Sequence, residues 1–281
     1  MPTVELRRLR HEPAELELVD RLLIDAYGFA SRRSDLDAYL AAQPDGWFVL
    51  ADGAEIVAVG GAFTYGVFAW IGLIATEPAR QRQGLATRLS AYLVDWARGR
   101  GCRSIALDAS SAGRPIYERL GFRVVGETAD LSVPAAAPEQ AGGPCRRVED
   151  VEELLSLDRH VFGGDRAALL TALQRDADGR SYVADGPDGP AGYLFARARR
   201  LGPGCARTGE VARRLVLTAL ADTADPSGGR RLLLPAESRY LDVLRACGLR
   251  LERRLPHMRL GEPVLPGERD RLLAQTSFAA G

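Results

Sequence analysis

The sequence predicts an α/β protein, a mixed sheet flanked by helices, organised as two domains in tandem. Three observations carry that reading. The stretch IGLIATEPARQRQGLATRL, Ile71 to Leu89, begins as an apolar run and passes Pro78 into a polar, basic turn. It then takes up helical spacing, with Leu85, Leu89, Tyr92, Leu93 and Trp96 on one face. Around this strand, turn and helix, residues 1–133 read as strand, two helices, three strands, helix, strand, helix, strand. The pattern then repeats at an offset of about 130 residues, a length suited to one domain per copy.

Each element has a local cause. VELRRLR alternates as an edge strand, and PAELELVDRLLIDAYGF follows with Leu16, Leu18, Val19, Leu22 and Leu23 as a core-facing helical stripe. SRRSDLDAYLAAQ forms a second helix with Ser34 as N-cap, and the mixed aromatic and basic loop AYGFASRRS joins the two. GWFVLADGAEIVAVGGAFTYGVFAWIGLIAT supplies strands joined by an Asp52-Gly53 turn, with Gly60 and Gly61 marking a bulge or a close approach. The central helix stops in the Gly99 and Gly101 region, and SIALDAS is a buried strand. In GRPIYERLGF, Pro115 starts a short helix, Ile116 and Leu120 share a face, and Gly121 stops it. SVPAAAPEQAGGPC loses periodicity and reads as a linker, which divides the chain into 1–133, a linker at 134–144, and 145–281.

In the second copy SYVADG answers WFVLADG, and RACGLRLERR answers ERLGFRVVGE. The helices VEELLSLDRHVFG and DRAALLTALQRD precede its strands as the first pair did. After the strand GYLFARARR comes a connection, LGPGCARTGEVARRL, which carries Gly202 and Gly204.

Composition excludes several function classes. With 46% hydrophobic and 26% charged residues over 281 positions, the chain can bury sizeable cores and is neither disordered nor fibrous. The 37 basic and 37 acidic residues cancel, which removes a global electrostatic case for nucleic acid or an anionic membrane surface. Lys and Asn are both absent, as expected of codon bias in a GC-rich genome. No apolar stretch approaches the roughly 20 residues of a spanning helix, and MPTVELRRLRHEP lacks a signal-peptide core, so a soluble cytoplasmic protein is expected. Cys102, Cys145, Cys205 and Cys247 are scattered without a C-x-x-C pair, and His11, His160 and His257 are isolated. Reduced thiols and structural histidines are expected, and no metal site.

The turn before the central helix is where chemistry is expected. Helix N-termini present unpaired N–H groups and the positive end of a dipole, so a Gly-containing turn there suits a phosphate. The dinucleotide pattern G-x-G-x-x-G is absent and a Walker loop is excluded for want of Lys, while spacing alone leaves an ordinary strand-to-helix connection open. Gln81-Arg82-Gln83-Gly84-Leu85-Ala86 resembles the (Q/R)-x-x-G-x-(G/A) pyrophosphate signature of the GNAT acetyltransferase superfamily, and YERLGF resembles that family's short helix with a tyrosine aimed at the thioester. The resemblance covers residues 1–133. It implies acetyl-CoA as co-substrate, with transfer of the acetyl group to an amine of a small molecule or peptide by direct attack. The repeat after it, whose order FGGDRAALLTAL, GYLFARARRLGP and RLPHMRLG is similar to the C-terminal half of tandem-GNAT proteins, makes a second GNAT-like domain in tandem the expectation.

The resemblance also assigns roles. Backbone N–H groups from Arg82 to Thr87, in the turn Gln81, Arg82, Gln83, Gly84, Leu85, Ala86 and Thr87, would hold the pyrophosphate. Ile74, Ala75 and Thr76 at the strand end would bind pantetheine and the thioester carbonyl, and Tyr117 would protonate the departing thiolate. A core tyrosine is the alternative for Tyr117. Asp108 is the nearest candidate base, with a paired structural Asp as its alternative. Tyr27 to Arg33 and the residues near Phe63 to Phe68 are expected to draw the acceptor pocket. The second copy lacks the glycine signature and sets Leu244 where Tyr117 stands, so it reads as a degenerate domain that supports the first or shapes its acceptor cleft. Two other functions stay open from sequence, an acyl-CoA-binding regulatory protein without turnover and a non-catalytic scaffold.

Overall fold

In the computed structural model of the chain, which describes residues 4–28, 30–135, 143–177, 180–222, 229–263 and 266–281, the first half follows the expected order. It comprises β1 (Glu5–Arg8), α1 (Pro13–Tyr27), α2 (Arg33–Ala42), β2 (Trp47–Asp52), β3 (Glu55–Thr64), β4 (Phe68–Thr76), α3 (Leu85–Arg98), β5 (Ser104–Asp108), α4 (Arg114–Arg119) and β6 (Arg123–Ser132). The second half repeats it with β7 (Arg146–Arg147), α5 (Glu152–Phe162), α6 (Ala167–Asp176), β8 (Ser181–Gly186), β9 (Gly189–Arg197), β10 (Arg200–Ala206), α7 (Gly209–Asp222), β11 (Arg231–Pro235), α8 (Leu241–Ala246), β12 (Arg250–Gly261) and β13 (Leu272–Ala274). Most of the expected linker, residues 136–142, lies outside the described residues.

Three expectations need correction. Leu18 is exposed, because two residues on from Leu16 is about 200° around a helix and leaves the Leu16, Val19 and Leu23 arc. Ser34 does not cap α2. The cap position is Arg32, whose N–H donates to Asp20 Oδ1 of α1 at 2.5 Å. The stretch expected as a connection after GYLFARARR is strand β10, pairing with β9 from Arg200↔Arg197 to Ala206↔Gly192. Pro203 falls at its register shift between Leu201 and Gly204, where the ladder needs no N–H. The Gly60-Gly61 expectation was sound. A Cβ on Gly61 would sit 2.1 Å from the Trp47 ring, and one on Gly60 would sit 2.4 Å from Ile74 Cδ1.

The thirteen strands form one sheet with the order β1-β2-β3-β4-β5-β12-β6-β11-β10-β9-β8-β7, and β13 pairs with β10 off that path. Strand pairing therefore crosses the sequence division. β12 of the second half inserts between β5 and β6 of the first, with His257↔Asp108 to Gly261↔Ser104 on one side and Arg250↔Ser132 to Arg259↔Arg123 on the other. In return β6 gives its other edge to β11, from Thr128↔Pro235 to Ser132↔Arg231. Each half completes the other's sheet. One hydrophobic cluster likewise joins Leu16, Tyr39, Trp47, Phe63 and Trp70 to Phe162, Tyr193, Phe195 and Leu272.

The segment Thr276–Gly281 locks this arrangement from beneath β4. Tyr39 Oη donates to Ser277 Oγ at 2.7 Å, Trp70 Nε1 to the Phe278 carbonyl at 3.0 Å and Tyr65 Oη to the Ala280 carbonyl at 2.8 Å. Gly72 makes room for it, since a Cβ there would lie 2.2 Å from Ala279 Cα.

Candidate active site

Strands β4 and β5 pair in parallel from Phe68↔Ser104 to Trp70↔Ala106 and then part, although β4 runs on to Thr76 and β5 to Asp108. Their divergence opens a cleft of about 850 Å³. On its other edge β4 keeps β3, but Val59↔Ala75 and Gly61↔Gly72 leave Leu73 and Ile74 opposite Gly60 alone. Leu73 sits in this bulge at φ +52°, a left-handed conformation that costs a non-Gly residue energy and is usually held by its surroundings. The bulge re-aims the strand end that carries Ile74, Ala75 and Thr76, and all three line the cleft.

The cleft continues over the N-terminus of α3. The first intrahelical bond runs from Arg88 N–H to the Gly84 carbonyl at 2.9 Å, so the N–H groups of Leu85, Ala86 and Thr87 precede the helical ladder. Gly84 is the N-cap at φ +81°, no side chain caps the helix, no acidic residue lies in its first turn, and nothing stands within 4 Å of where a Gly84 Cβ would be. Arg82 also takes a left-handed φ of +61°. Gln81, Arg82, Gly84, Leu85, Ala86 and Thr87 line the cleft. Gln83 does not, and its Oε1 instead accepts from Arg80 Nε at 3.4 Å.

Tyr117 enters from α4, buried at 8% exposure and edge-on to Phe122. Its ring lies beside Gly113, where a Cβ would come within 3.0 Å of Cε2. Burial pushes its phenol up to about 12, with the nearby Ser90 hydroxyl acting the other way, although no hydrogen bond within normal limits reaches Ser90 Oγ. Such a phenol is protonated throughout the physiological range.

Asp108 closes β5 at the mouth of the divergence and lines the cleft. Its Oδ1 accepts from Thr128 Oγ1 at 2.7 Å and lies 3.0 Å from His257 Nδ1, which against a carboxylate is the protonated nitrogen. Oδ2 is buried without a hydrogen-bond partner among the described residues. His257 reaches Asp108 because β12 is inserted beside β5, and it stacks on Trp70 at 5.1 Å. The other histidines also face single carboxylates, His11 with Asp37 at 3.2 Å and His160 with Glu268 at 3.3 Å. No group of three or more metal-ligating side chains is found among the described residues.

The expected acceptor region is half corrected. Tyr27 and Arg32 line the cleft, and Tyr27 Oη donates to the Ile74 carbonyl at 2.9 Å, while Phe29 lies outside the described residues. Phe63, Tyr65 and Phe68 are core. Their rings pack on one another and on Phe162, and none lines the cleft. The sequence reading missed the wall opposite, made by Asp35 and Tyr39 of α2 together with Arg200, Arg253, Leu255, Ser277, Phe278 and Ala279 of the second half. Only the run of arginines at 197–200 hinted at it.

In the second half the corresponding divergence is filled. β10 and β11 pair in parallel at Arg200↔Arg231 and Leu201↔Leu232, and beyond that β13 pairs with β10, while Gln275 N–H donates to the Leu233 carbonyl of β11 at 2.6 Å. The N-terminus of α7 is also closed, with Thr208 Oγ1 accepting from Val211 N–H at 3.3 Å and Glu210 in the first turn. Leu244, at the place of Tyr117, is wholly buried.

Residues 16–122 match the Acetyltransferase (GNAT) family, and residues 154–274 match an Acetyltransferase (GNAT) domain. The chain belongs to the GNAT acetyltransferases and carries two of their domains in tandem. It is 29% identical over 192 residues to the uncharacterized N-acetyltransferase YitH of Bacillus subtilis (strain 168), covering 65% of this chain and 66% of that one, just short of two-thirds of the relative's length. A putative acetyltransferase from Pyrococcus horikoshii superposes with a TM-score of 0.87 at 25% identity, covering 100% of this chain and 97% of that one. A GCN5-related N-acetyltransferase from Sphaerobacter thermophilus shares the fold, with a TM-score of 0.64 at 16% identity over 94% and 98% of the two chains. No described helix is long and apolar enough to cross a membrane.

Proposed function

We propose that this protein transfers an acetyl group from acetyl-CoA to the amine of a small molecule or peptide, in the cleft of its first half. The observation that carries this reading is a single cleft joining three things: the uncapped N-terminus of α3, the strand end of β4 freed from β5, and the buried Tyr117. Acetyl-CoA fits it as substrate. The N–H groups from Arg82 to Thr87 suit a pyrophosphate, and the backbone at Ile74 to Thr76 suits pantetheine and the thioester carbonyl.

Acetyl-CoA would supply the activated thioester. The amine nitrogen attacks the carbonyl carbon, the C–S bond breaks, and Tyr117 delivers its proton to the thiolate sulfur. The Asp108 side chain is wholly buried and held by Thr128 and His257, which makes it the paired structural Asp, and the proton that the amine gives up leaves to water in the cleft. The second half, 145–281, keeps the GNAT plan without a site of its own and serves the first half as acceptor wall and sheet partner. The regulatory alternative, binding without turnover, has no use for Tyr117. A balanced charge fits a cytoplasmic enzyme without a nucleic-acid partner.

Thermal unfolding with and without acetyl-CoA, followed by an amine panel read out by thiol release, tests the proposal. A ligand at 100 times its dissociation constant adds about 2.7 kcal/mol of stability. No stabilisation by acetyl-CoA or CoA would refute it.

A further inference from the structure

The acceptor end of the cleft holds one buried cation too many. Arg200 begins β10, is 6% exposed and lines the cleft, yet its Nη1 is buried without a hydrogen-bond partner among the described residues. No carboxylate lies within ion-pair reach of it among those residues. The nearby acid is Asp35, and it is engaged, with Oδ1 accepting from Arg197 Nη1 at 2.8 Å and Oδ2 facing Arg32 Nη1 at 3.4 Å. Arg197 is itself committed, since its Nε and Nη2 donate to the Gly202 and Thr276 carbonyls at 3.1 and 3.0 Å. Asp35 is thus already engaged by Arg197 and Arg32 at the boundary between α2 and the β9–β10 turn, and Arg200 stands beside them without an ion pair among the described residues. Burial pushes the Arg200 guanidinium down to about 10, and Arg197 and Arg32 add to that while Asp35 opposes it. A buried, unpaired guanidinium is costly unless a ligand completes it.

We propose that Arg200, with Arg32 beside it, is the anion subsite of the acceptor. The acceptor is then an amine that also carries a carboxylate, a small amino acid and not a plain amine or a polyamine. This rests on the acetyltransferase reading for the word acceptor, though not for the anion site itself. The planar fork of Arg matches a carboxylate in bidentate fashion, and the buried Arg200 guanidinium repels a polycation.

The test is calorimetry on the full chain saturated with CoA. The probes are ω-amino acids of graded length, the corresponding carboxamides, and aminoalkyl phosphonates. The expected result is that at least one amino acid binds ten-fold or more tighter than its own amide. Arg200→Gln abolishes that difference, and Arg200→Lys keeps part of it. Because the guanidinium is unpaired in the free protein, Arg200→Met raises the melting temperature, whereas an Arg with a structural role would lower it. The proposal is overturned if no probe binds, if acid and amide bind alike, if the phosphonate outbinds the carboxylate, or if the preference survives Arg200→Gln. Should Arg200→Gln not fold, the comparison of acid with amide on the parent decides alone. An acetyl-transfer assay on the same series separates the two readings. Acid-selective binding with no acetylation sinks the acetyltransferase and leaves the anion site, while equal acetylation of acids and amides does the reverse.

Discussion

Tyr117→Phe separates chemistry from packing in the candidate active site. The substitution deletes one hydroxyl and leaves the ring against Phe122 and Gly113. No hydrogen bond within normal limits binds Ser90 Oγ, so the folded state loses at most part of one polar contact, about 0.5 kcal/mol. For a chain of this length that is a shift of roughly 1 to 2 °C in Tm. Turnover should respond far more. A CoA thiol resembles a cysteine with a reference pKa near 8.5, so the expelled thiolate gains from protonation as it leaves. The Tyr117 phenol, held up to about 12 by burial, is in the donating form at any working pH. A general acid contributes about 10² to 10⁴, and since water substitutes in part, kcat should fall roughly 10- to 10³-fold with acetyl-CoA affinity unchanged. Steady-state kinetics beside calorimetry and thermal unfolding measures all three quantities. Unchanged kcat per folded molecule, with a Tm loss of several degrees, would remove Tyr117 from the chemistry and make it a core tyrosine.

The fold itself offers further tests. Gly72→Val would drive a side chain into the Ala279 backbone, which cannot swing aside as a side chain could. It should cost about 3 kcal/mol, the upper end of overpacking, in urea unfolding. Burial works to raise Asp35, but Arg197, Arg200 and Arg32 outweigh it and hold the carboxyl below its ordinary value. A depressed carboxylate contributes stability that is present above the unfolded pKa, about 3.9, and lost as pH falls through the folded value. Asp35→Asn should therefore flatten the acid limb of the stability profile below about pH 4. Near neutrality it should cost towards the lower end of about 3 to 5 kcal/mol, since the amide carbonyl still accepts; an unaltered acid limb would count against the pairing. Residues 1–135 or 143–281 produced alone should show no cooperative thermal transition by circular dichroism, because β6 and β12 each fill a gap in the other half. A sharp transition in either fragment would mean that the exchange is dispensable.

What could be read from sequence was what local backbone geometry demands. The α3 turn needs a residue at φ +81° with free space beside it, which is why Gly84 stands there, and α4 needs a stop at φ +91°, which is Gly121. Those needs are met within a few residues, so the motif shows on the chain. Gln83 was named with its neighbours because a motif does not say which of its side chains turns outward. The strand exchange left no local trace, since the alternation of β12 is the same whichever strand lies beside it. The acceptor wall was hidden for the same reason. Arg197 and Asp35 meet across 162 residues of sequence, and only the folded sheet brings the end of β9 against α2. The aromatic run Phe63 to Phe68 misled in the opposite direction, because apolar residues near a site are indistinguishable in sequence from the core beneath it.

The central claim is that one of the two GNAT copies, and only one, receives acetyl-CoA. Calorimetric titration of the full chain with acetyl-CoA tests it directly, comparing the parent with Gly84→Glu. That change strains the φ +81° backbone and places a carboxylate where the pyrophosphate should lie. The account predicts one site per chain in the parent, and at least a 100-fold loss of affinity in a Gly84→Glu protein that still unfolds cooperatively. Two sites per chain, or parental affinity in Gly84→Glu, would contradict it.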